Sequence, residues 1–229
     1  MKLSALARRI ARNIVWWVRD YAFAAHWQVR AIVGRRDPGL YLSGEGRPVV
    51  VIPGVWETWA FLRPLIARVH AAGHPVHVLD SLHWNSRPVE ATAHDVATYV
   101  LEHELTDVVI VAHSKGGLIG KYVMALLDDA HRIESMVAIC SPFSGSRYAP
   151  WLVLKSLRAF SPRDATTLLL ARNREVNARI VSIFGEFDPH IPEGSSLPGA
   201  ENIRLPAGGH FRILALPRTI RTVLAVAAR

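Results

Sequence analysis

A single cysteine, Cys140, is present among 229 residues, so no internal disulfide can hold this fold together. No stretch reaches the roughly 18 uncharged apolar residues of a membrane-spanning helix, although half of the composition is hydrophobic. No internal repeat and no low-complexity tract interrupts the chain, and its length suits one sizeable core with a short appendage. Acidic residues are scarce at the N-terminus. Residues 1–37 hold Asp20 and Asp37 against Lys2, Arg8, Arg9, Arg12, Arg19, Arg30, Arg35 and Arg36, which is six of the net eight positive charges. A basic tail on a near-neutral body points to an anionic surface.

What the tail does contain is amphipathic. At 100° per residue Leu3, Leu6, Ile10, Ile14, Trp17 and Tyr21 fall on one helical stripe, with Arg9, Arg12 and Arg19 opposite. Trp16, Phe23 and Trp27 lie on the cationic side, so both faces are aromatic. Two expectations follow for residues 1–34. The helix lies at an anionic membrane interface, where indoles favour the headgroup level, or it docks on the domain and buries one stripe. The apolar core Ile14–Val18 is too short for a secretory signal, and Arg8-Arg9 lacks the apolar stretch of a twin-arginine signal. The expected place is therefore the cytoplasm, peripheral on the membrane.

Gly, Pro and Ser concentrate in "RRDPGLYLSGEGRP" (35–48), which divides the chain into the segment 1–37, a linker 38–47 and a main domain 48–229. From there strand and helix patterns alternate. Apolar runs at 48–54, 74–80, 107–114, 133–142 and 178–189 read as buried strands, with a short last strand in 201–210. Helical patterns fill 57–73, 88–105, 115–129 and 212–228, Pro64 bending the first of them or splitting off its opening turn. A short cap around 143–177 separates the fourth and fifth strands. The pattern predicts an α/β fold, a mostly parallel sheet of about six strands covered on both faces, with active groups at the strands' C-terminal ends.

The third strand runs into "AHSKGG", a serine between small residues at a strand-to-helix turn. A nucleophilic serine there needs a tight elbow, which crowds the positions two before and two after it, Ala112 and Gly116. The following helix would aim its N-terminal amides at a developing oxyanion, the Lys115 N–H foremost. In "IPGVWETW" the Val55 N–H is the first choice for a second donor, and the Trp56 N–H the next. Asp188 in "FGEFDPHIP" and His210 in "PAGGHFRIL" then follow late strands, in the order Ser…Asp…His. Glu186 is the alternative acid and His190 the alternative base. A serine capping the helix at Lys115 is the non-catalytic reading of Ser114.

With these residues in view, residues 48–228 resemble the α/β-hydrolase superfamily, most closely its small bacterial lipases and esterases with an A-H-S-x-G elbow. "CSPFSGS" (140–146) is similar to their T-P-x-x-G-[ST] segment, and "GHF" to their histidine loop; Pro53 and Lys115 depart from the pattern. The resemblance implies that Ser114 attacks an acyl carbonyl, His210 relays the proton, Asp188 orients the histidine, and Val55 and Lys115 supply oxyanion amides. No metal and no organic cofactor is implied. Trp56, Phe143 and Trp151 sit on loops at the active end and are expected to line an acyl pocket. The Lys115 side chain is expected in solvent, Cys140 in the core, and His70, His74 and His77 apart from one another. The expected function is hydrolysis of apolar or lipid carboxylic esters through an acyl-enzyme. An acyltransferase or thioesterase could use the same groups, and a membrane- or nucleic-acid-binding module could keep the fold without catalysis. No nucleic-acid partner is expected, because the positive charge is confined to the tail, and the oligomeric state is left open.

Overall fold

Each apolar run becomes one strand of a single sheet. The strands are β1 (Val49–Ile52), β2 (Val76–Val78), β3 (Val108–His113), β4 (Ile133–Ile139), β5 (Ile180–Phe187) and β6 (Glu201–Gly208). They lie in the order β2-β1-β3-β4-β5-β6, with every neighbouring pair parallel. The computed structural model describes residues 2–34, 37–149 and 160–229. Trp151, Leu152 and the opening helical stretch of the cap lie outside them, as does the side chain of Leu3.

Helices cover both faces, which is why the strands read as continuous apolar runs instead of alternating ones. Val50, Ile52, Ile110 and Ala112 pack towards α3 (Val89–Glu102), α4 (Lys115–Leu126) and α5 (Ala165–Arg172). Val49, Val51, Val109 and Val111 pack towards α2 (Arg63–Ala71) and α6 (Pro217–Ala227). Pro64 does split its helix: a 3-10 turn, Trp59–Leu62, precedes α2, which carries the proline in its first turn. Because all six strands run the same way, the loops after β1, β3, β4, β5 and β6 gather at one end of the sheet.

The N-terminal helix α1 (Lys2–Val33) docks on the domain, and the side it uses is not the Leu-Ile stripe. Leu6, Ile10, Ile14, Trp17 and Tyr21 stay exposed, and it is the opposite side that packs. Trp16 lies against Gly208, Phe23 meets Phe61 edge-on, and Arg63 donates to the carbonyls of Arg30 and Gly34. The reason is a second stripe, Trp16, Asp20, Phe23 and Trp27, which recurs at helical spacing among the arginines. Among the described residues no helix is long and apolar enough to cross a membrane.

Candidate active site

Ser114 follows β3 in a backbone conformation that few side chains adopt, φ 51° and ψ −118°. Such a residue costs on the order of 1–3 kcal/mol, held by its surroundings. Here the Ser114 N–H donates to the Ile139 carbonyl at 2.8 Å, and Gly116 presses on β1. A Cβ at Gly116 would stand 2.3 Å from the Ile52 carbonyl oxygen, so only glycine fits. Ser114 occupies the N-cap position of α4, yet its hydroxyl makes no cap bond. It lies 3.0 Å from His210 Nε2 instead, which disposes of the helix-capping reading.

On the other edge of that ring, His210 Nδ1 lies 2.8 Å from Asp188 Oδ2. The Asp188 Oδ1 accepts the N–H groups of His190 and Ile191, at 2.8 and 3.1 Å. Burial alone would raise the Asp188 carboxyl; the His210 charge and the hydrogen bonds from His210 and His190 outweigh it and hold the pKa below the usual range. Burial likewise works against the His210 imidazolium, yet the carboxylates of Asp188, Glu57 and Asp20 raise its pKa above the ordinary histidine value. Ser114, His210 and Asp188 thus converge from three loops. The alternatives separate from them: Glu186 turns to Arg12 at 3.6 Å, and His190 Nε2 meets the Tyr21 hydroxyl at 3.0 Å. The His190 ring also lies against His210 and Phe211, and its pKa is pushed down to about 4, by desolvation first and then by the His210 charge.

Two groups absent from the sequence reading brace this arrangement. Glu57 Oε2 accepts the Gly54 N–H at 2.7 Å and faces His113 Nδ1 at 2.8 Å, while His113 Nε2 donates to the His210 carbonyl at 3.1 Å. All four residues in that chain of contacts are buried. The signal was present: an ionisable residue at the end of an apolar strand, and an acid in an otherwise apolar loop, each require a buried partner. Because Glu57 occupies the Gly54 amide, that amide is not available to a substrate.

Lys115 corrects an expectation. Its side chain is buried, 3 % exposed, and donates to the Asn85 carbonyl, Asn85 Oδ1 and the Arg87 carbonyl. Asn85 Nδ2 in turn donates to the Pro53 carbonyl, so the lysine holds the loop after β2 against α4 while Asn85 ties that loop to the one after β1. Burial, with nearby Arg87, lowers the Lys115 pKa to about 8. Carbonyls gathered beside the first turn of α4 offered the ammonium partners that solvent would otherwise supply.

A cavity of about 480 Å³ opens above Ser114 and His210, walled by Val55, Trp56, Phe160, Ile191 and Phe211 among others. Trp56 is therefore where the sequence put it. Phe143 is not among the residues lining this cavity; it packs inside the α3–α4 core, and Trp151 is outside the described residues. Cys140 is buried as expected, at φ 50°, and burial raises its thiol pKa well above the usual range, with Asp188 and Asp20 adding to the effect. The Cys140, Asp188 and His210 ligand atoms lie within 4.8 Å of one another, the grouping among the described residues that could hold a metal ion. The three clustered histidines go to different partners, His70 to Ser43, His74 to the Arg47 carbonyl and His77 to Tyr99.

The model of the alpha/beta hydrolase family matches residues 49–224. Similar solved structures include a monoacylglycerol lipase from Paleococcus ferrophilus, 16 % identical, with a TM-score of 0.61 over 81 % of this chain and 96 % of that one. A mature lipase from Bacillus licheniformis is 14 % identical, with a TM-score of 0.58 over 86 % and 96 %. An enol-lactonase from Burkholderia xenovorans is 15 % identical, with a TM-score of 0.55 over 81 % and 93 %. At these identities the likeness is one of fold. No curated protein matches the chain.

Proposed function

The chain belongs to the alpha/beta hydrolase family, and from that premise we propose that it hydrolyses carboxylic esters of apolar acyl groups through a serine acyl-enzyme. One observation carries the reading: the hydrogen-bonded line Ser114, His210, Asp188 opens into an apolar cavity. His210 takes the Ser114 proton as Oγ attacks the acyl carbonyl, and returns it to the leaving alcohol. Water then enters and attacks the acyl carbon as it gives a proton to His210; the bond to Ser114 Oγ breaks, His210 passes that proton to Oγ, and the acid leaves. The oxyanion rests on the N–H groups of Val55 and Lys115, the second at the positive end of α4. Trp56 and its apolar neighbours hold the acyl chain.

Turnover of p-nitrophenyl esters across acyl lengths and pH tests this. His210 must be neutral to accept the proton, and its pKa is raised. The rate kcat/KM is therefore expected to fall on the acid side with a midpoint above about 6.5, the ordinary histidine value. No turnover of any ester, or an acid limb at or below that value, contradicts the assignment.

The reading includes a place of action, an anionic membrane surface. The exposed stripe of α1 supports it, together with Arg8, Arg9, Arg12, Arg19 and Arg30 on the same helix. Asp20, the one acid of α1, is buried and contributes no surface charge to oppose them. Tyr21 of that stripe contacts His190, which borders the cavity, so the helix would bring a bilayer beside the site entrance. Ile10→Asp with Ile14→Asp is expected to weaken sedimentation with phosphatidylglycerol vesicles by about tenfold or more, since each buried aliphatic side chain contributes roughly 1.5–3 kcal/mol. Turnover of a soluble short ester should not change. Vesicle binding equal to that of the parent protein would refute the membrane face.

A further inference from the structure

Asp20 lies outside the span that the family model matches, in a helix joined to the domain by a linker, and it is completely buried. Its carboxylate accepts three consecutive backbone amides of the histidine loop. Oδ2 takes the His210 N–H at 2.8 Å, and Oδ1 takes those of Phe211 and Arg212 at 2.9 and 2.7 Å. These amides open the 3-10 turn Arg212–Ala215, where no helical carbonyl is available to them. The loop is cut to fit the carboxylate. Gly209 has φ 119°, and a Cβ there would come within 2.3 Å of Asp20 Oδ1.

From the other side the His210 carbonyl accepts His113 Nε2–H. Both backbone ends of His210 are thus fixed by buried side chains of separate elements, while Nδ1 faces Asp188 and Nε2 faces Ser114. About two turns further along α1, Gln28 Nε2 donates to the Trp56 carbonyl at 3.1 Å, gripping the loop that follows β1. A positioning carboxylate of this kind is worth most where small errors in base placement are costly, and a misplacement of about 1 Å can cost on the order of 10²-fold in rate.

We propose that Asp20 is a positioning residue of the active site, and that α1 is a working part of the hydrolase because this carboxylate sets the placement of His210 through its main chain. The inference rests on the reading of Ser114, His210 and Asp188 as the reacting groups.

The test is Asp20→Asn in the full chain. Asparagine keeps one acceptor oxygen but turns an N–H₂ towards one of the three amides and removes the charge. On a soluble short p-nitrophenyl ester, kcat is expected to fall about 10- to 100-fold with KM changed less than about threefold. The charged and titratable groups facing His210 among the described residues are Asp188, Glu57, Asp20, His113, His190 and the buried Cys140 thiol. Removing one of the three carboxylates that favour the imidazolium should move the acid limb of kcat/KM to lower pH, a shift that mere loss of stability does not produce. Parent-like kcat and an unmoved limb in folded Asp20→Asn would overturn the proposal.

If that variant does not fold, hydrogen exchange on the parent protein decides. The amides of residues 210–212 should exchange as slowly as those of α1 around Asp20, and rapid exchange there would overturn the proposal as well. Failure of the functional reading looks different, because the parent protein would then turn over no ester at all.

Discussion

Ser114→Ala is expected to abolish ester turnover, with kcat lower by on the order of 10⁴- to 10⁶-fold, and to abolish labelling by a fluorophosphonate. The expectation is sharp because the hydroxyl faces His210 Nε2 at 3.0 Å and has no part in capping α4. Alanine keeps the Cβ, so the strain at φ 51° and the packing of Gly116 on Ile52 are unchanged. The variant should therefore fold as the parent does, and its circular dichroism and unfolding midpoint serve as controls. Only the group that forms the acyl bond is lost. Mass spectrometry of the labelled parent protein should find the phosphonate on the peptide containing Ser114. Retained labelling in Ser114→Ala, or an adduct elsewhere, would remove the nucleophile assignment and the proposed function with it.

Glu57→Ala should produce the largest loss of stability, about 3–5 kcal/mol, because it leaves two buried groups, the Gly54 amide and the His113 ring, without their acceptor, each at a cost of about 1–3 kcal/mol. The carboxylate satisfies the Gly54 amide and His113 Nδ1 together, and both partners sit where water does not reach. Alanine leaves an orphaned donor on the β1 loop and an imidazole without its counterpart behind His210. For a chain of this size the loss corresponds to a thermal midpoint lower by about 6–20 °C. Glu57→Gln keeps an acceptor oxygen and should recover a substantial part of it. An unfolding midpoint for Glu57→Ala equal to that of the parent protein would show that this contact carries no net stability. Residual turnover should fall too, since the same carboxylate supports the His210 carbonyl through His113.

The sheet was legible because buried parallel strands leave long runs such as "VVVI" and "VVIVAH", and prolines and glycines mark where they stop. The serine, aspartate and histidine were legible for a similar reason, each following one of those runs. What the sequence hid are the contacts made between distant segments. Glu57 and His113 are far apart in sequence and meet only once β1 and β3 are paired. The docking side of α1 was left open because Trp17 and Tyr21 give one stripe an aromatic character and Trp16, Phe23 and Trp27 give it to the other. Periodicity counts apolar positions; it does not say which set has a sheet beneath it. Lys115 was read as a surface charge for want of any local sign that three acceptors from another loop surround its ammonium.

The contact between Asp20 and residues 210–212 spans 190 to 192 positions of chain. Synthesis at roughly 5–20 residues per second puts about 10–40 s between the emergence of α1 and that of its seat. Through that interval the helix carries two apolar stripes and an unpartnered carboxylate, with no histidine loop to receive them. Closing so long a loop is among the slower steps in forming a domain. The seat of that carboxylate is thus among the later parts of the chain to be made, and on the proposed reading an unfinished chain has the turn at Ser114 but no His210 to face it. If Ser114 and His210 react as proposed, ester turnover starts only when the chain is long enough to bring residues 210–212 onto Asp20.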